Sequence, residues 1–397
     1  MKFIYPETRE KGIVSILSVI FFIILMSIVA VSFLRIVTNE QEQVIQDDLS
    51  KGALAAARSG VEDAKRALLL CRTKTGPARA DCYNALQNDA CPGIFATAVM
   101  RSDLALQTNP DGSIKVGDPG PDNNNNERYT CVTLSQNTPD YTGIMSEGLG
   151  DFIPLRGTGA FNQVRISWHQ TALDGDTVAV PTSGSTIVTS NTNPRRTEWS
   201  ASGTRYVAIP RIQLMRFDPA QTLSAQGDNA VGAFLVPNNG GSQTVNVTNI
   251  APGGMPKRPA VNCNGAESGY RCTAVLDLRS LDPAQLATSQ YFLFIKSFYA
   301  TARYKVELLN DGTPTMFMDV QPEVDSTGAA ANVYKRILSR IQYQADTFFT
   351  SNSIESGMSV CKEFSVTDNQ FINPCSGRSL GSGIPSDQTG PTGTPLP

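Results

Sequence analysis

A single histidine, His169, limits the catalytic chemistry open to this chain. Any Ser-His-Asp or Cys-His catalyst would have to use it, and Asp174 and Asp176 follow closely enough to orient its ring. Because it is the only histidine, it cannot form a histidine metal pair. The apolar alternation before it favours a histidine at a strand edge on a polar face, so we expect no enzyme, no metal and no cofactor.

Other motifs for binding or catalysis are weak. Asp122, Asn124 and Asn126 alternate like the first ligands of a calcium loop, but the glycine and the distal glutamate of that motif are not in place. A solvated loop is the better interpretation. The chain has no phosphate-binding glycine loop and no long basic run, and its net charge is −3, so we predict no nucleic-acid binding. The scattered carboxylates leave a glycosidase pair open, because its two members need not be close in sequence.

Disulfide formation is the clearest chemistry that the side chains indicate. The chain has 8 cysteines, all after residue 70, and an even number favours disulfides in an exported protein. None forms a Cys-x-x-Cys pair, which argues against zinc binding and thioredoxin-like chemistry. Many connectivities remain open from sequence alone. Because short loops close most readily, we expect the pairs Cys71–Cys82, Cys91–Cys131, Cys263–Cys272 and Cys361–Cys375.

All of these residues follow a long apolar segment. From Ile13 to Leu34 there is no charged residue, and the segment has the roughly 20 residues that a helix needs to cross a bilayer. It is longer than the apolar core of a cleaved secretory signal, although Ala30–Val31–Ser32 could pass as a weak cleavage site. The leader, residues 1–12, carries a small basic excess, which predicts a cytoplasmic N-terminus and an exported remainder.

The helix is expected to continue into the aqueous phase. Residues 35–70 are rich in helix formers and contain no proline, so one helix over residues 13–70 is predicted, about 87 Å long, with 13–34 spanning the membrane. The apolar stripe along it changes from large to small residues. Gly52, Ala56, Gly60 and Ala64 step by four, which lets another backbone approach closely, either a sheet or a second helix.

The N-terminal residues resemble those of type IV pilin-like proteins. The shared features are a short basic leader ending in Lys11–Gly12, an apolar helix that begins immediately afterwards, and the continuation AAARSGVEDAKRAL. That continuation is particularly similar to PilX-type minor pilins and to the large tip pseudopilin of type II secretion systems. The stretch DSTGAAANVYKRILSRIQY is a fainter match near the C-terminus. The resemblance implies that a prepilin peptidase cleaves between Gly12 and Ile13 and that the new amino group is methylated. A Cys361–Cys375 pair would resemble the C-terminal disulfide loop of many pilins.

One position departs from the pattern of major pilins. Major pilins resemble one another in carrying glutamate at the fifth mature position, whose carboxylate can neutralise the N-terminal ammonium of a neighbouring subunit. Here that position is Leu17. Because a buried unpaired ammonium costs several kcal/mol, the resemblance implies a tip, priming or otherwise scarce subunit, since no subunit lies above the tip.

Strand-like segments dominate the rest of the chain. A hairpin is expected around Asn310–Asp311–Gly312, because Asp-Gly readily takes the positive φ angles of tight turns. Other strand candidates are FNQVRISW, TRYVAIPRIQLMRF, AVGAFLV, QTVNVTNI, CTAVLDL and NVYKRILSRIQY. The small-residue half of the helix can cover their apolar face. The predicted fold class is therefore α+β, with a long N-terminal helix packed on an antiparallel β-sheet in a large, loop-rich extracellular head.

Residues 71–378 are expected to form this head, with two subdomains meeting near residue 255 as one arrangement, and residues 379–397 are expected to form a disordered tail. The function expected from the resemblance is a minor pilin or pseudopilin at the tip or in priming of a filament, contributing to surface adhesion. Its expected partners are the membrane, the prepilin peptidase, other pilin subunits and a surface ligand. A singly anchored extracellular binding domain and an anchored hydrolase are the alternatives.

Overall fold

The computed structural model describes residues 11–87, 91, 93–116, 126–147, 150–175, 178–189, 193–194, 196–199, 206–217, 231–242, 244–246, 257–264, 269–279 and 290–342. The helices are α1 (Lys11–Thr73), α2 (Gly76–Leu86), α3 (Ala98–Asp103), α4 (Thr171–Asp174), α5 (Thr186–Thr189) and α6 (Arg196–Trp199). The strands are β1 (Ile114–Lys115), β2 (Arg128–Thr138), β3 (Tyr141–Met145), β4 (Gly150–Leu155), β5 (Gln163–Gln170), β6 (Ile209–Phe217), β7 (Val231–Phe234), β8 (Val236–Asn238), β9 (Thr244–Asn246), β10 (Ala260–Asn262), β11 (Tyr270–Asp277), β12 (Gln290–Phe298), β13 (Ala302–Asn310), β14 (Thr313–Thr315), β15 (Phe317–Ala330) and β16 (Val333–Arg340).

The long helix is continuous, as the absence of proline predicts. It runs for 63 residues without a break, a little beyond the expected range of 13–70 at both ends. It ends at Thr73, and Pro77 lies in the first turn of α2, where a missing amide hydrogen costs nothing. A disulfide between Cys71 and Cys82 joins the last turn of α1 to α2, which limits fraying at this end of the rod.

The second half of α1 packs on an antiparallel sheet with the order β1-β2-β15-β16, which we call the helix-backed sheet. Contact is closest where both partners lack bulk. A Cβ added to Gly328 of β15 would press on the carbonyl oxygen of Ala53 and the amide of Ala57, and would lie 2.8 Å from the carbonyl carbon of Ala56. A Cβ on Gly60 would lie 3.0 Å from Val132 Cγ2 and would also collide with Ser326 Oγ. The predicted close approach is therefore made by a sheet.

The buried stripe begins later along the helix than the sequence pattern indicates. Ala53, Ala56 and Ala57 are fully buried, whereas Val44 and Ile45 are 67% and 57% exposed. The head therefore covers α1 only from about Leu49 onwards. The larger residues at the start of the predicted stripe are left uncovered.

The remaining strands build a β-sandwich. One sheet has the order β14-β13-β5-β11-β9, with β3 also paired to β13, and the other has the order β4-β12-β6-β7. One hydrophobic cluster contains side chains of both sheets, including Trp168, Tyr304 and Leu293, so the two sheets share a core. The Trp168 indole donates a hydrogen bond to the Ala208 carbonyl across it, at 3.0 Å. A short parallel pair, β8 with β10, completes the pairing of the described strands.

Two separate cores result. A second cluster lies between α1 and the helix-backed sheet and includes Leu68, Phe95 and Val324. Both ends of the described chain form it, and the sandwich is inserted between β2 and β15. The sandwich core contains Val245 and Val261, and the predicted subdomain boundary near residue 255 lies outside the described residues.

Strand β15 belongs to both cores. Phe317 and Val320 pack in the sandwich, whereas Val324 packs under α1. Its pairing with β2 shifts register between Met318 and Glu323, where Asp319 has a φ of 52°. A bulge bends a strand locally, which suits a strand that passes from one core to the other.

Each predicted strand segment contains a strand in the structure, and the predicted hairpin turn is confirmed. Asp311 and Gly312 have φ values of 48° and 83° between β13 and β14. Three of the expected cysteine pairs are present as disulfides, Cys71–Cys82, Cys91–Cys131 and Cys263–Cys272. Cys361 and Cys375, like the tail, lie outside the described residues.

The contact between α1 and Gly328 generates a first prediction. Gly328→Ala should lower the free energy of unfolding by about 1–3 kcal/mol, because the new methyl group meets helix backbone that cannot move aside alone. Gly159→Ala is the matched control, since its Cβ would have only Thr315 Cγ2 nearby, at 4.0 Å. Urea unfolding of the two variants and the parent in one detergent measures the effect. Equal midpoints for both variants would contradict the backbone contact.

Candidate functional site: the uncovered half of α1

The first half of α1 is the largest apolar surface on the described part of the chain. Large hydrophobic residues from Ile16 to Ile36 are exposed by 44% (Leu25) to 66% (Met26). The segment is long and apolar enough to cross a membrane, and none of its most apolar stretch is buried in the protein. No other described residues bury it, and lipid or other apolar helices are the surroundings that suit such a surface.

Three hydroxyl side chains in and just after this segment form hydrogen bonds within the helix. Ser27 donates a hydrogen bond to the Ile23 carbonyl at 2.7 Å, and Ser32 donates to Ile28 at 2.8 Å. Thr38 bonds in the same way to Leu34, at 3.1 Å. Because these hydroxyls find partners one turn back, they do not require water, and the segment is compatible with an apolar surrounding.

The predicted processing residues lie at the start of this helix. Gly12 and Ile13 are in the first turns of α1, and the structure describes their backbone only. Leu17 follows on the same helix and is 65% exposed. The structure therefore places Leu17, the predicted fifth mature position, on the uncovered surface.

Polar contacts fasten the buried half of α1 to the sheet. The hydroxyl of Tyr129 in β2 donates a hydrogen bond to Asp63 Oδ2 at 2.9 Å, and Arg66 Nη1 lies 2.8 Å from Asp63 Oδ1. Burial raises the pKa of the Tyr129 phenol, and the negative charge of Asp63 raises it further. The phenol therefore remains a donor to the carboxylate over the whole neutral range.

A second contact fixes the far end of α1. Arg72, in the last turn, donates to Asp319 Oδ2 at 3.1 Å and to the Asp319 carbonyl at 3.3 Å. Because Asp319 lies in the β15 bulge, the end of the helix is tied to the point where β15 leaves the sandwich. Sequence reasoning missed both contacts, and their partners are 66 and 247 residues apart with no local signal.

Residues at the boundary between the two cores form a third group of contacts. Arg340 reaches Asp140 Oδ1 at 2.6 Å and Glu323 Oε2 at 3.1 Å. The buried Gln321 side chain accepts from the Thr142 amide at 2.9 Å and donates to the Thr142 carbonyl at 2.8 Å. Since Gln321 pairs like a strand residue, it joins β15 to β3 across the boundary.

The single histidine forms a local contact within its own part of the chain. His169 is buried near the end of β5, a strand with neighbours on both sides, so the expectation of an exposed edge position is wrong. Its Nε2 lies 2.7 Å from the Gly175 carbonyl oxygen. Asp174 instead accepts from the Arg303 amide at 2.8 Å and from Arg303 Nη1 at 2.7 Å. Asp176 lies outside the described residues.

The calcium-like alternation is only partly described. Asp122 and Asn124 lie outside the described residues, and the Asn126 carbonyl accepts from Arg128 Nη1 at 3.1 Å. Within the described ranges, no group of three or more His, Cys, Asp or Glu residues is placed to hold a metal ion.

Comparisons with protein-family models, curated proteins and solved structures found no match to this chain.

The Tyr129–Asp63 hydrogen bond generates the second prediction. Tyr129→Phe should lower the free energy of unfolding by about 2 kcal/mol, because a buried hydrogen bond to a charged group is lost. Tyr334→Phe is the control, since Tyr334 is 57% exposed. Urea unfolding at neutral pH measures both, and a Tyr129→Phe midpoint equal to that of the control would contradict the assigned hydrogen bond.

Tyr129→Phe should also change how the free energy of unfolding depends on pH in the alkaline range. The pKa of Tyr129 is higher in the folded state than in the unfolded state. Tyr129 therefore makes its full contribution to the free energy of unfolding below the unfolded-state pKa of about 10, and this contribution is lost as the pH rises above that value. One such group contributes a slope of up to about 1.4 kcal/mol per pH unit. Between pH values of about 10 and 11, Tyr129→Phe should therefore lose less stability than the parent.

Proposed function

We propose that this chain is a minor pilin or pseudopilin of a type IV pilus or a related filament, acting at the tip or in priming of assembly. The observation that supports it is the division of one unbroken helix into two halves. The half containing Ile16–Ile36 is apolar and uncovered, and the half after Leu49 carries the folded head. A filament subunit needs both, because its first half must exchange lipid for equivalent helices of other subunits while the head stays attached.

Before assembly, the subunit is a single-pass membrane protein with its leader in the cytoplasm and its head outside. The prepilin peptidase removes residues 1–12, and the new amino group on Ile13 is methylated. After assembly, the apolar half lies in a bundle of similar helices. The head then caps or decorates the filament at the cell surface and contributes to adhesion to a surface ligand.

Leu17 supports a scarce position over a place along the shaft. Inside the bundle, an N-terminal ammonium without a carboxylate opposite it costs several kcal/mol. A subunit with Leu17 would impose that cost on a neighbour at every repeat of a homopolymer. At the tip it imposes the cost on none.

The third prediction concerns processing. Gly12→Leu should leave the full-length chain in the membrane, because a bulky side chain obstructs the peptidase next to the scissile bond. Intact-mass analysis of membrane-extracted protein, with and without the cognate prepilin peptidase, checks it. The parent should lose residues 1–12 only when the peptidase is present. Normal trimming of Gly12→Leu would count against the pilin proposal, and an intact parent would favour a singly anchored binding domain.

The fourth prediction concerns position in the filament. Leu17→Glu should increase incorporation along the shaft, because the carboxylate can pair with a neighbouring ammonium. Leu17→Gln is the matched control, since glutamine has nearly the same shape as glutamate but no charge. Immunogold labelling of filaments measures the distribution. If the Glu and Gln variants label filaments alike, charge at this position does not decide the placement.

A further inference from the structure

The two edge strands of the helix-backed sheet, β1 and β16, differ in their backbone neighbours. At the β1 edge, the Lys115 amide donates to the Gln107 carbonyl at 2.9 Å, and Thr108 forms a bridge with Ile114. At the other edge, β15 is the only neighbour of β16 within the described part of the chain. As far as the described residues extend, the β16 edge is therefore open and the β1 edge is covered.

The ladder between β15 and β16 identifies which backbone groups of β16 face outwards. The two strands are joined by a two-residue turn, with Ala331 at a φ of 48°, and pair without a register shift from Ala330–Val333 to Glu323–Arg340. The closing pair of such a turn exchanges both hydrogen bonds, and every second pair after it does the same. The 2.8 Å bond from the Ile341 amide to the Pro322 carbonyl fits this alternation. The outward backbone groups are consequently those of Tyr334, Arg336, Leu338 and Arg340.

The side chains of the same residues lie on the sheet face opposite α1. Tyr334 and Leu338 are 57% and 62% exposed, and the Arg336 side chain between them is 73% exposed. No proline or bulge interrupts β16, so an unbroken row of donors and acceptors lies beside an apolar surface. Tyrosine and arginine are among the side chains that contribute most often to binding energy at interfaces.

Charge selects among the strands that could pair here. Strand β16 contains Lys335, Arg336 and Arg340 and no acidic residue. Arg336 is neutralised by Asp325, and Arg340 by Asp140 and Glu323. Among the described residues Lys335 has no ion-pair partner, and it is exposed. An acidic strand can supply the missing partner of Lys335, whereas a second copy of β16 has no acidic residue to offer, so charge favours an acidic strand over self-pairing.

We propose that β16 is a docking edge that takes an extended, acidic strand of a partner protein by β-sheet augmentation. Only an extended polypeptide offers amide donors and carbonyl acceptors at the spacing of the open edge. Its acidic side chains pair with Lys335, and its apolar side chains pack on Tyr334 and Leu338. This inference goes beyond the filament proposal and does not depend on removal of the leader.

The test uses the full chain in detergent micelles with two synthetic peptides as long as β16. One peptide alternates valine with glutamate, and its twin alternates valine with lysine. Binding is measured by titration calorimetry, and amide exchange across β16 by hydrogen–deuterium mass spectrometry. The glutamate peptide should bind, slow exchange in β16, and have an affinity at least about tenfold higher than that of the lysine peptide.

Three variants separate backbone pairing from charge. Leu338→Pro removes an outward amide without removing a hydrogen bond to β15, so it should abolish binding while the urea midpoint changes little. Lys335→Glu should reverse the preference between the two peptides. Lys115→Glu, on the covered β1 edge, is the matched control and should leave the preference unchanged. If Leu338→Pro does not fold, Leu338→Ala with Tyr334→Ala tests the apolar contribution in its place, and the pair should weaken binding of the glutamate peptide.

Four outcomes would overturn the proposal. The first is absence of binding by the glutamate peptide. The second is equal affinity for the two peptides. The third is slow exchange of the outward amides of Tyr334, Arg336, Leu338 and Arg340 in the free chain at every concentration, which would mean that residues 343–397 already occupy the edge. The fourth is protection that rises with protein concentration, which would mean that a second copy occupies it.

Discussion

The head depends on one close contact, in which the backbone of α1 meets the backbone of β15 with almost no side chain between them. Gly328 lies against the helix backbone between Ala53 and Ala57, and Gly60 lies against Ser326 and Val132. Such a contact gains dispersion energy only at one separation and one register, because there is no flexible side chain to adjust. The helix-backed sheet and the strand order around it follow from this fixed position, since β2 and β16 both pair with β15.

Polar groups then fix the direction of the helix. Asp63 meets Tyr129 in the middle of the buried half, and Arg72 meets Asp319 at its end. Among the described residues the uncovered half has no comparable anchor, and its Ser27 and Ser32 hydroxyls bond to their own helix. Sequence and structure thus assign opposite chemistry to the two halves of one rod, and the change occurs where small residues replace large ones.

Local features of the fold could be predicted from sequence, and contacts that join distant segments could not. The helix, its small-residue face and the Asp311–Gly312 turn depend on neighbouring residues, and the predicted strands show alternation within a few positions. Strand β12 escaped notice because large apolar residues occupy both of its faces, from Tyr291 to Ile295, which hides the alternation. Strand β15 contains Pro322 and Gly328, and both residue types argue against a strand when the sequence is considered alone. The structure accommodates this strand with a shift of register. For the site, the apolar half of α1 was evident in the composition. The contacts of Tyr129 and Arg72 were not, because they form only when segments far apart in the chain meet.

The uncovered stretch between Ile36 and Leu49 has a geometric consequence. It is bare, unbroken helix, so its length alone determines how far the head stands from the apolar half, about 20 Å at 1.5 Å per residue. Each residue also rotates the helix by about 100°, so inserting one residue would rotate the head and its β16 edge about the helix axis by that angle. The length of this stretch could therefore change without rotating the head about the helix axis only in steps of about seven residues, or two turns. The number of residues between Ile36 and Leu49 thus sets both the distance of the head from the apolar half and the rotation of the head about the helix axis.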